Sequence, residues 1–299
     1  MGTPDFAVPS LQVLIETQQV VGVVTQPDRP AGRGRKLRPS PVKVAAEAAG
    51  VPVFQPESLR SREAAAPLRE WQPDLIVVAA FGQILRNHVL NLPAHGCLNV
   101  HASLLPRWRG ASPIQHAIQA GDAITGVALM QMERGLDTGP VFIQEKLPIL
   151  PDDTAASLHD RLAALGGTML REHLAGILNG RYHPMPQNNE LSTYAPLITK
   201  ENGRLNWQEG SAALDRQMRA MTPWPGAFTT WNGKPLKIKR ATVVETDRGE
   251  PGEVLFGGIV QTGDGGLALQ EVQLAGKKAV NIDDFLRGRP QFVGARLGT

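Results

Sequence analysis

Short apolar runs rich in β-branched residues alternate with amphipathic, helix-like segments along the first part of the chain. The apolar runs cover residues 20–24, 51–54, 74–80, 97–100 and 125–132, and the helix-like segments cover 11–16, 42–49, 60–70 and 112–120. Uninterrupted apolar runs of this length are typical of parallel strands that helices cover on both faces. The alternation therefore predicts an α/β domain with a doubly wound, mostly parallel sheet and right-handed crossovers.

The character of the sequence changes near residue 180. A polar, proline-containing stretch at 180–198 is typical of a linker, so we assign 1–179 to the α/β domain and 199–299 to a second domain. Beyond a helix-like segment at 212–220, the second domain consists of short strand-like runs separated by turn sequences such as Asn232-Gly233. Asn-Gly between apolar runs is a strong hairpin signal, and many short strands predict a small OB-like β-barrel.

The chain opens with residues 1–6, Met-Gly-Thr-Pro-Asp-Phe, which have the composition of a turn after a strand. A doubly wound sheet normally begins with an apolar strand that leads into such a glycine turn. The sequence therefore predicts that the first strand is missing, and that another segment fills its place or the true start lies upstream.

Composition narrows the class of protein. Cys97 is the only cysteine, which excludes an internal disulfide and a zinc site of several thiolates and favours a reducing cytoplasm. No apolar run approaches the ~20 residues needed to cross a bilayer, and the start shows no signal-peptide pattern.

Residues 1–198 carry 17 basic and 17 acidic side chains, whereas residues 199–299 carry 14 basic and 11 acidic side chains. The formal positive excess therefore lies in the second domain.

Asn99 and His101 follow the apolar run at 97–100, and side chains that alternate along a strand place both on one face. An amide donor beside an imidazole suits acyl-type transfer, because the amide stabilises a developing oxyanion and the imidazole moves protons near neutral pH. Ligands of open α/β sheets bind at the carboxyl ends of the strands, where this pair lies. An Asn-x-His pair is also common as a structural feature, so the pattern by itself leaves both interpretations open.

Asp137 lies in the turn Gly135-Leu-Asp-Thr-Gly139. Such a carboxylate is often a simple turn former, but it could also orient His101 or hold a catalytic water. Between the two, Ser103, Leu104, Leu105 and Pro106 form an apolar stretch that is either ordinary loop packing or a rigid edge for a flat heteroaromatic ligand.

Cofactor signals are weak elsewhere in the chain. No Gly-x-Gly-x-x-Gly follows a strand, so a nucleotide cofactor is not expected. The remaining histidines lack the spacing of metal ligands, so we expect no metal.

Two basic regions point to a polyanionic partner. Residues 26–43 hold six basic residues, among them Arg33, Arg35 and Lys36, against the single acidic Asp28. In the second domain, Lys237 and Lys239 would share one face of a strand near several tryptophans. Positive charge with neighbouring aromatic residues favours nucleic-acid binding, although a solvated loop and a solvated strand face explain the same residues.

Taken together, these motifs resemble the methionyl-tRNA formyltransferase family. The resemblance runs through residues 2–6, 25–34, 99–101, 103–110 and 135–139. It implies a folate-binding α/β domain followed by an OB-like barrel, with Asn99, His101 and Asp137 as catalytic residues. It also implies that the basic segment reaches the acceptor stem through Arg33, and that Lys200 lies close to tRNA.

The expected function is transfer of the formyl group of 10-formyltetrahydrofolate to the free amine of methionyl-initiator-tRNA by a monomeric cytoplasmic enzyme. Two alternatives stay open. A related enzyme would use another amine, such as a nucleotide-sugar amine or glycinamide ribonucleotide, and would not need the basic regions. A non-catalytic RNA-binding protein with a relic formyltransferase domain would need no intact Asn99, His101 and Asp137.

Overall fold

A computed structural model describes residues 1–31 and 36–298 of the chain. It forms two compact units: the first comprises Met1–Pro113, Ala123–Ile149 and Leu158–Pro196, and the second comprises Ile114–Asp122, Leu150–Ser157 and Leu197–Thr299. The boundaries predicted at 179 and 198 stay predictions.

Eight helices and fifteen strands occur within the described residues. The helices are α1 (Val8–Thr17), α2 (Pro41–Ala48), α3 (Ala66–Trp71), α4 (Asn87–Leu90), α5 (Pro113–Ala120), α6 (Ala155–Leu178), α7 (Ser211–Ala220) and α8 (Ile282–Arg287). The strands are β1 (Val23–Val24), β2 (Arg29–Ala31), β3 (Lys36–Arg38), β4 (Val53–Phe54), β5 (Ile76–Val78), β6 (Cys97–His101), β7 (Arg109–Gly110), β8 (Ile124–Gln131), β9 (Val141–Pro148), β10 (Tyr194–Ala195), β11 (Phe228–Trp231), β12 (Lys234–Val244), β13 (Ile259–Gln261), β14 (Gly266–Leu274) and β15 (Val280–Asn281).

The first unit contains the α/β fold that the sequence predicts. β1 pairs with β4 in parallel, and β5 pairs with β6 in parallel. β6 continues into the antiparallel strands β8 and β9, which gives the strand order β5-β6-β8-β9. The alternating apolar side chains of β6 and β8, such as Leu98 and Leu129, are almost completely buried. The α/β prediction is confirmed, and the antiparallel pairs lie on one side of β6.

The first residues of the chain lie between β1 and β5. The amine of Met1 donates a hydrogen bond to the carbonyl of Val77 at 2.6 Å, and the amide of Ala79 donates to Met1 at 2.9 Å. The amide of Gly2 donates to Val24 on the other side at 3.1 Å. Met1 and Gly2 therefore provide the backbone contacts between β1 and the end of β5. Because the Met1 amine is buried there, its pKa is lowered to about 6.

The longest helix, α6, has no counterpart in the sequence prediction, and neither has β9. Gly166 and Gly167 lie in the middle of α6, and glycine disfavours helix by about 1 kcal/mol relative to alanine. In the structure this pair permits close packing. A Cβ on Gly166 would lie 2.7 Å from the side chain of Val100 in β6, and one on Gly167 would lie 3.2 Å from the carbonyl of Pro9. The two glycines weaken the helix signal in the sequence, but in the structure they allow α6 to pack closely against the sheet.

The second unit contains an antiparallel sheet with the order β11-β12-β14-β13, to which β15 adds beside β14. The predicted Asn232-Gly233 turn joins β11 to β12, and both residues adopt positive φ angles. Trp231, Phe285 and Phe292 pack edge to face in its core, with ring centroids 5.0 to 5.7 Å apart. The sequence predicts a small OB-like β-barrel in this part of the chain, and the prediction of a domain built from antiparallel strands is confirmed.

Candidate active site

Asn99 and His101 lie on the same face of β6, as the strand period predicts. Both are buried, with 8% and 7% of their surface exposed. The Nε2 atom of His101 lies 3.1 Å from the carbonyl oxygen of Trp108, which restrains the ring. The Asn99 side chain makes no hydrogen bond within the described residues, and its amide atoms are not among the fully buried polar atoms that lack a partner, so they reach the accessible surface of the site. Its hydrogen-bonding capacity is therefore left for a ligand at the end of β6.

Asp137 is held beside His101 from a distant part of the chain. Its Oδ2 atom accepts a hydrogen bond from the amide of Gly110 at 2.8 Å and lies 3.8 Å from Nδ1 of His101. The separation exceeds a direct hydrogen bond, and both side chains are largely shielded from solvent, so the carboxylate faces the ring across a short gap. The structure thus brings Asn99, His101 and Asp137 to one place, whereas their catalytic roles stay predictions.

Glycine is required at position 110 by two features of the backbone. Gly110 has a φ of +121°, which lies outside the range of other residues, and a Cβ there would lie 2.6 Å from the carbonyl of Ala195. The close approach arises because β7 pairs with β10, with Gly110 opposite Ala195. This pairing fixes the amide that holds Asp137.

The predicted cofactor-binding stretch forms a tight loop after β6. The hydroxyl of Ser103 donates to the carbonyl of Arg107 at 2.6 Å, so Ser103 acts on the loop itself and is completely buried. Leu105 is also buried, and its carbonyl accepts a hydrogen bond from Nε2 of Gln144 at 3.0 Å. Leu104 and Pro106 are partly exposed. These two therefore provide apolar surface that a ligand could contact, beside the ends of Asn99 and His101.

Several residues of this site were missed in the sequence. Arg109, Gln187, Asn189 and Thr193 form a hydrogen-bonded group around the loop; Thr193 Oγ1, for example, accepts from the amide of Trp108 at 2.9 Å. Three of the four lie in the stretch 180–198 that the sequence marks as a linker. The polar composition there is equally typical of a connection and of a site, so no local signal could have separated the two.

The predicted tRNA-contacting residues fall in two groups. Arg33 and Arg35 lie outside the described residues, and Lys36 is described only through the backbone of β3. Lys200 is exposed on the 3-10 turn Lys200–Gly203. Lys237 and Lys239 are both exposed on β12 and alternate with buried apolar residues, so they share an outward face as predicted. Their contact with tRNA stays a prediction.

The flanks of the basic segment are held by an ion pair. β2 and β3 pair in an antiparallel hairpin, and the ammonium of Lys43 lies 2.8 Å from Oδ2 of Asp28. The amide of Gln55 donates to the other carboxylate oxygen of Asp28 at 2.8 Å. These hydrogen bonds, that of Lys43 first, hold the pKa of Asp28 below its usual range. The one carboxylate among the basic residues is therefore already paired at the base of the hairpin.

An open cavity of about 500 Å³ lies near the start of α4 in the first unit. Three arginines and an exposed isoleucine contribute to its wall, which is lined by Arg62, Ile84, Leu85, Arg86, Asn87, His88 and Arg134. Such a combination suits a ligand with both carboxylate groups and apolar surface.

One group of side chains among the described residues has ligand atoms close enough for a metal ion: Glu145, Glu172 and His173, within 4.8 Å of one another. Both ring nitrogens of His173 already have protein partners. Nε2 lies 2.8 Å from Glu145, and Nδ1 lies 3.1 Å from the hydroxyl of Tyr182. Hydrogen bonds at both ring nitrogens thus account for the position of His173 in this group. Within the described part of the chain, no helix is both long and apolar enough to span a membrane.

Comparison with known proteins identifies relatives of both units. Residues 1–174 match the formyl transferase family, and residues 197–290 match the formyl transferase C-terminal domain. The chain is 52% identical to the methionyl-tRNA formyltransferase of Stenotrophomonas maltophilia, over 98% of each protein. It is 50% identical to the methionyl-tRNA formyltransferase of Myxococcus xanthus, over 99% of this chain and 96% of that one.

Two solved structures share the fold. WlaRD, a sugar 3N-formyl transferase in the presence of dTDP and 5-N-formyl-THF, superposes with a TM-score of 0.66 at 22% identity, over 93% of this chain and 97% of that one. An N-formyltransferase from Helicobacter canadensis, in complex with folinic acid and dTDP-3-aminofucose, gives a TM-score of 0.64 at 22% identity, with the same coverage.

Proposed function

Because the chain belongs to the methionyl-tRNA formyltransferase family, we propose that it transfers the formyl group of 10-formyltetrahydrofolate to the free amino group of methionyl-initiator-tRNA. The product, formylmethionyl-tRNA, would serve translation initiation. The observation that carries the proposal is the buried pair on β6: Asn99, whose amide has no partner among the described residues, lies two residues before His101.

In the first step of the proposed chemistry, the protein stabilises the charge that develops on the substrate. The methionyl amine attacks the formyl carbon, and negative charge develops on the formyl oxygen. The amide of Asn99 and the protonated ring of His101 stabilise that charge, because donors fixed in a buried site need no reorganisation when the charge appears. Asp137, 3.8 Å from Nδ1 of His101, stabilises the imidazolium.

Collapse of the tetrahedral intermediate breaks the bond between the formyl carbon and N10 of the folate. A proton leaves the methionyl nitrogen and reaches N10, so that tetrahydrofolate departs neutral at that atom. We assign the relay of this proton to the ring of His101, which lies beside the carboxylate of Asp137. Nucleophilic attack comes from the substrate amine, so the scheme needs no covalent bond to the enzyme.

The residues near β6 fit a folate substrate. Leu104 and Pro106 provide apolar surface for the flat ring system, on a loop that the buried Ser103 and Leu105 hold in place. The cavity with three arginines suits the glutamate carboxylates of the folate tail.

Replacement of Gln144 by alanine removes the hydrogen bond to the carbonyl of Leu105. A bond of this kind contributes ~0.5–1.5 kcal/mol, so we expect the KM for folate to rise two- to tenfold with little change in kcat. An unchanged KM would argue against this loop as part of the folate site.

Two sets of basic residues would contact the tRNA backbone. One set consists of the exposed lysines of the second unit, Lys200, Lys237 and Lys239, and the other consists of Arg33, Arg35 and Lys36 of the basic segment. We further propose that the enzyme is a cytoplasmic monomer without a catalytic metal. Treatment with EDTA should leave turnover unchanged, and a loss that zinc or magnesium restores would contradict this part of the proposal.

The identity of the acceptor is tested by comparing several amines in parallel reactions. Purified protein is given labelled 10-formyltetrahydrofolate with methionyl-initiator-tRNA, and in parallel with an aminated nucleotide sugar or glycinamide ribonucleotide. We expect the label on methionyl-tRNA alone, at a rate that falls steeply with added salt, because phosphate contacts release counterions. Transfer to a small amine with no dependence on salt would overturn the proposed acceptor while leaving the formyl transfer intact.

A further inference from the structure

Gln187 joins two parts of the active site that are far apart in sequence. Its Oε1 atom accepts hydrogen bonds from Nε and Nη2 of Arg109, at 3.0 and 2.8 Å. Its Nε2 atom donates to the carbonyls of Asp137 and Gly139, at 2.8 and 2.7 Å. A glutamine amide offers two donor hydrogens and two acceptor positions, so this side chain uses its full capacity at one place.

Arg109 is an unusual anchor because it is buried. Only 9% of its surface is exposed, and its hydrogen-bond partners among the described residues are the amide oxygens of Gln187 and Asn189. Arginine presents its donors in a rigid planar fork, so two bonds to one oxygen restrict the position of the partner strongly. The guanidinium thus fixes the amide plane of Gln187 without a carboxylate.

Asp137 needs such support from its surroundings. Its φ of +51° lies in the left-handed region, which aspartate adopts more readily than most residues but still at a cost in backbone energy that neighbouring contacts offset. Gln187 holds the main chain of Asp137 and Gly139, while the amide of Gly110 holds the carboxylate. Because Gly110 follows Arg109, the two sets of contacts form a closed ring through the main chain.

The segment that carries Gln187 is attached on both sides. Before it, Met185 exchanges two backbone hydrogen bonds with Val141, at 2.8 and 2.9 Å. After it, β10 pairs with β7. Gln187 is therefore a fixed part of the first unit, although its sequence context is that of a linker.

We propose that Gln187 is a positioning residue for the formyl-transfer reaction, which holds Asp137 in the orientation from which its carboxylate acts on His101. The kinetic part of this inference rests on the proposed function. Displacement of a catalytic group by about 1 Å can cost on the order of 100-fold in rate. We expect Gln187→Ala to lower kcat 10- to 100-fold, with the KM for folate within about threefold of its original value.

One further substitution separates the two halves of the contact, and a second serves as a control. Gln187→Glu keeps an acceptor for Arg109 but replaces the two donors with an oxygen that repels the carbonyls of Asp137 and Gly139. It should therefore lower kcat at least as much as Gln187→Ala. Gln261→Ala is the matched control, since the amide of Gln261 donates to the carbonyls of Thr262 and Gly265 in the second unit, both at 3.1 Å. This control should lower thermal stability without a change in kcat at a temperature where the protein is folded.

A double-mutant cycle distinguishes positioning from general stabilisation. If Gln187 acts through Asp137, Gln187→Ala should reduce kcat by less than threefold once Asp137 is already asparagine, because neighbouring residues with one shared role are not additive. Fully additive losses would overturn the inference, because Gln187 would then act independently of Asp137. An unchanged kcat in Gln187→Ala would overturn it as well.

A substrate-free measurement keeps the inference separate from the proposed reaction. The ring nitrogens of His101 are observed by NMR in ¹⁵N-labelled protein and assigned with His101→Asn. Asp137→Asn should move these resonances, and Gln187→Ala should move them in the same direction, whereas Gln261→Ala should not. Failure of the wild-type protein to formylate any amine would contradict the proposed function alone. Resonances of His101 that Gln187→Ala leaves in place would contradict the positioning role alone.

Discussion

Replacement of Asp137 by asparagine removes one charge from the site and changes little else. Asparagine has nearly the same size and also tolerates the left-handed backbone that Asp137 adopts, with a φ of +51°. Its carbonyl oxygen can still accept the hydrogen bond from the amide of Gly110. The variant therefore isolates the interaction between the carboxylate and His101.

The size of the effect follows from the geometry. The carboxylate lies 3.8 Å from Nδ1 of His101, and the exposed fractions of the two side chains are 15% and 7%. At such a distance, two unit charges interact by about 4 kcal/mol at an effective dielectric constant of ~20, and by about 1 kcal/mol in water. Each 1.36 kcal/mol changes a rate about tenfold. Partial burial places the pair between these limits, so we expect kcat to fall on the order of 100-fold.

The assay is single-turnover formyl transfer to methionyl-tRNA at saturating folate. The KM for folate should stay within about threefold, and the melting temperature within a few degrees. Asp160→Asn provides a matched control, because Asp160 also pairs with a histidine, at 2.9 Å from Nδ1 of His159, but is 81% exposed. If Asp137→Asn retains kcat within twofold of the wild-type value, the carboxylate has no electrostatic role and the scheme is wrong.

Two further predictions concern other parts of the chain. The double variant Lys237→Ala/Lys239→Ala should weaken tRNA binding and make the plot of the logarithm of the binding constant against the logarithm of salt concentration less steep by one to two units. The control variant Lys277→Ala/Lys278→Ala should leave this slope unchanged. Equal slopes for the two variants would exclude the outward face of β12 as a tRNA contact. Burial raises the pKa of the Cys97 thiol to about 12, so iodoacetamide should modify Cys97 only after unfolding. The free energy of unfolding should fall as pH rises above about 9, because the thiol then loses its proton in the unfolded chain but not in the folded one. Rapid labelling of the native protein at pH 8 would contradict this burial.

The strands were predicted where local sequence decides the structure. β6 was expected at 97–100 and spans Cys97–His101, and β8 was expected at 125–132 and spans Ile124–Gln131. Both strands are almost entirely buried, and the apolar residues among them gave the sequence signal. β9 escaped prediction because exposed and partly buried residues alternate along Val141–Pro148, so its run contains charged residues. A strand with one solvated face gives a weaker sequence signal than a buried one.

The candidate site was predictable only in part, for the same reason. That Asn99 and His101 share a face follows from two residues and the period of a strand. The proximity of Asp137 depends on a contact with Gly110 across 27 positions, so the turn motif alone leaves a role beside His101 and a role as a turn former equally open, and the family resemblance favours the first. Gln187 contacts Asp137 across 50 positions and Arg109 across 78. No local pattern encodes contacts of that range, so the polar composition around Gln187 predicts only a linker.

The most direct test of the account is formyl transfer by Asn99→Ala and His101→Ala beside the wild-type protein, with 10-formyltetrahydrofolate and methionyl-initiator-tRNA in a single-turnover assay. Loss of one donor to the developing oxyanion typically costs on the order of 100-fold or more. We expect each variant to fold, to bind folate and to lose at least that factor in rate. Wild-type protein that transfers formyl, together with either variant at near-full rate, would contradict the assignment of the reaction to the β6 pair.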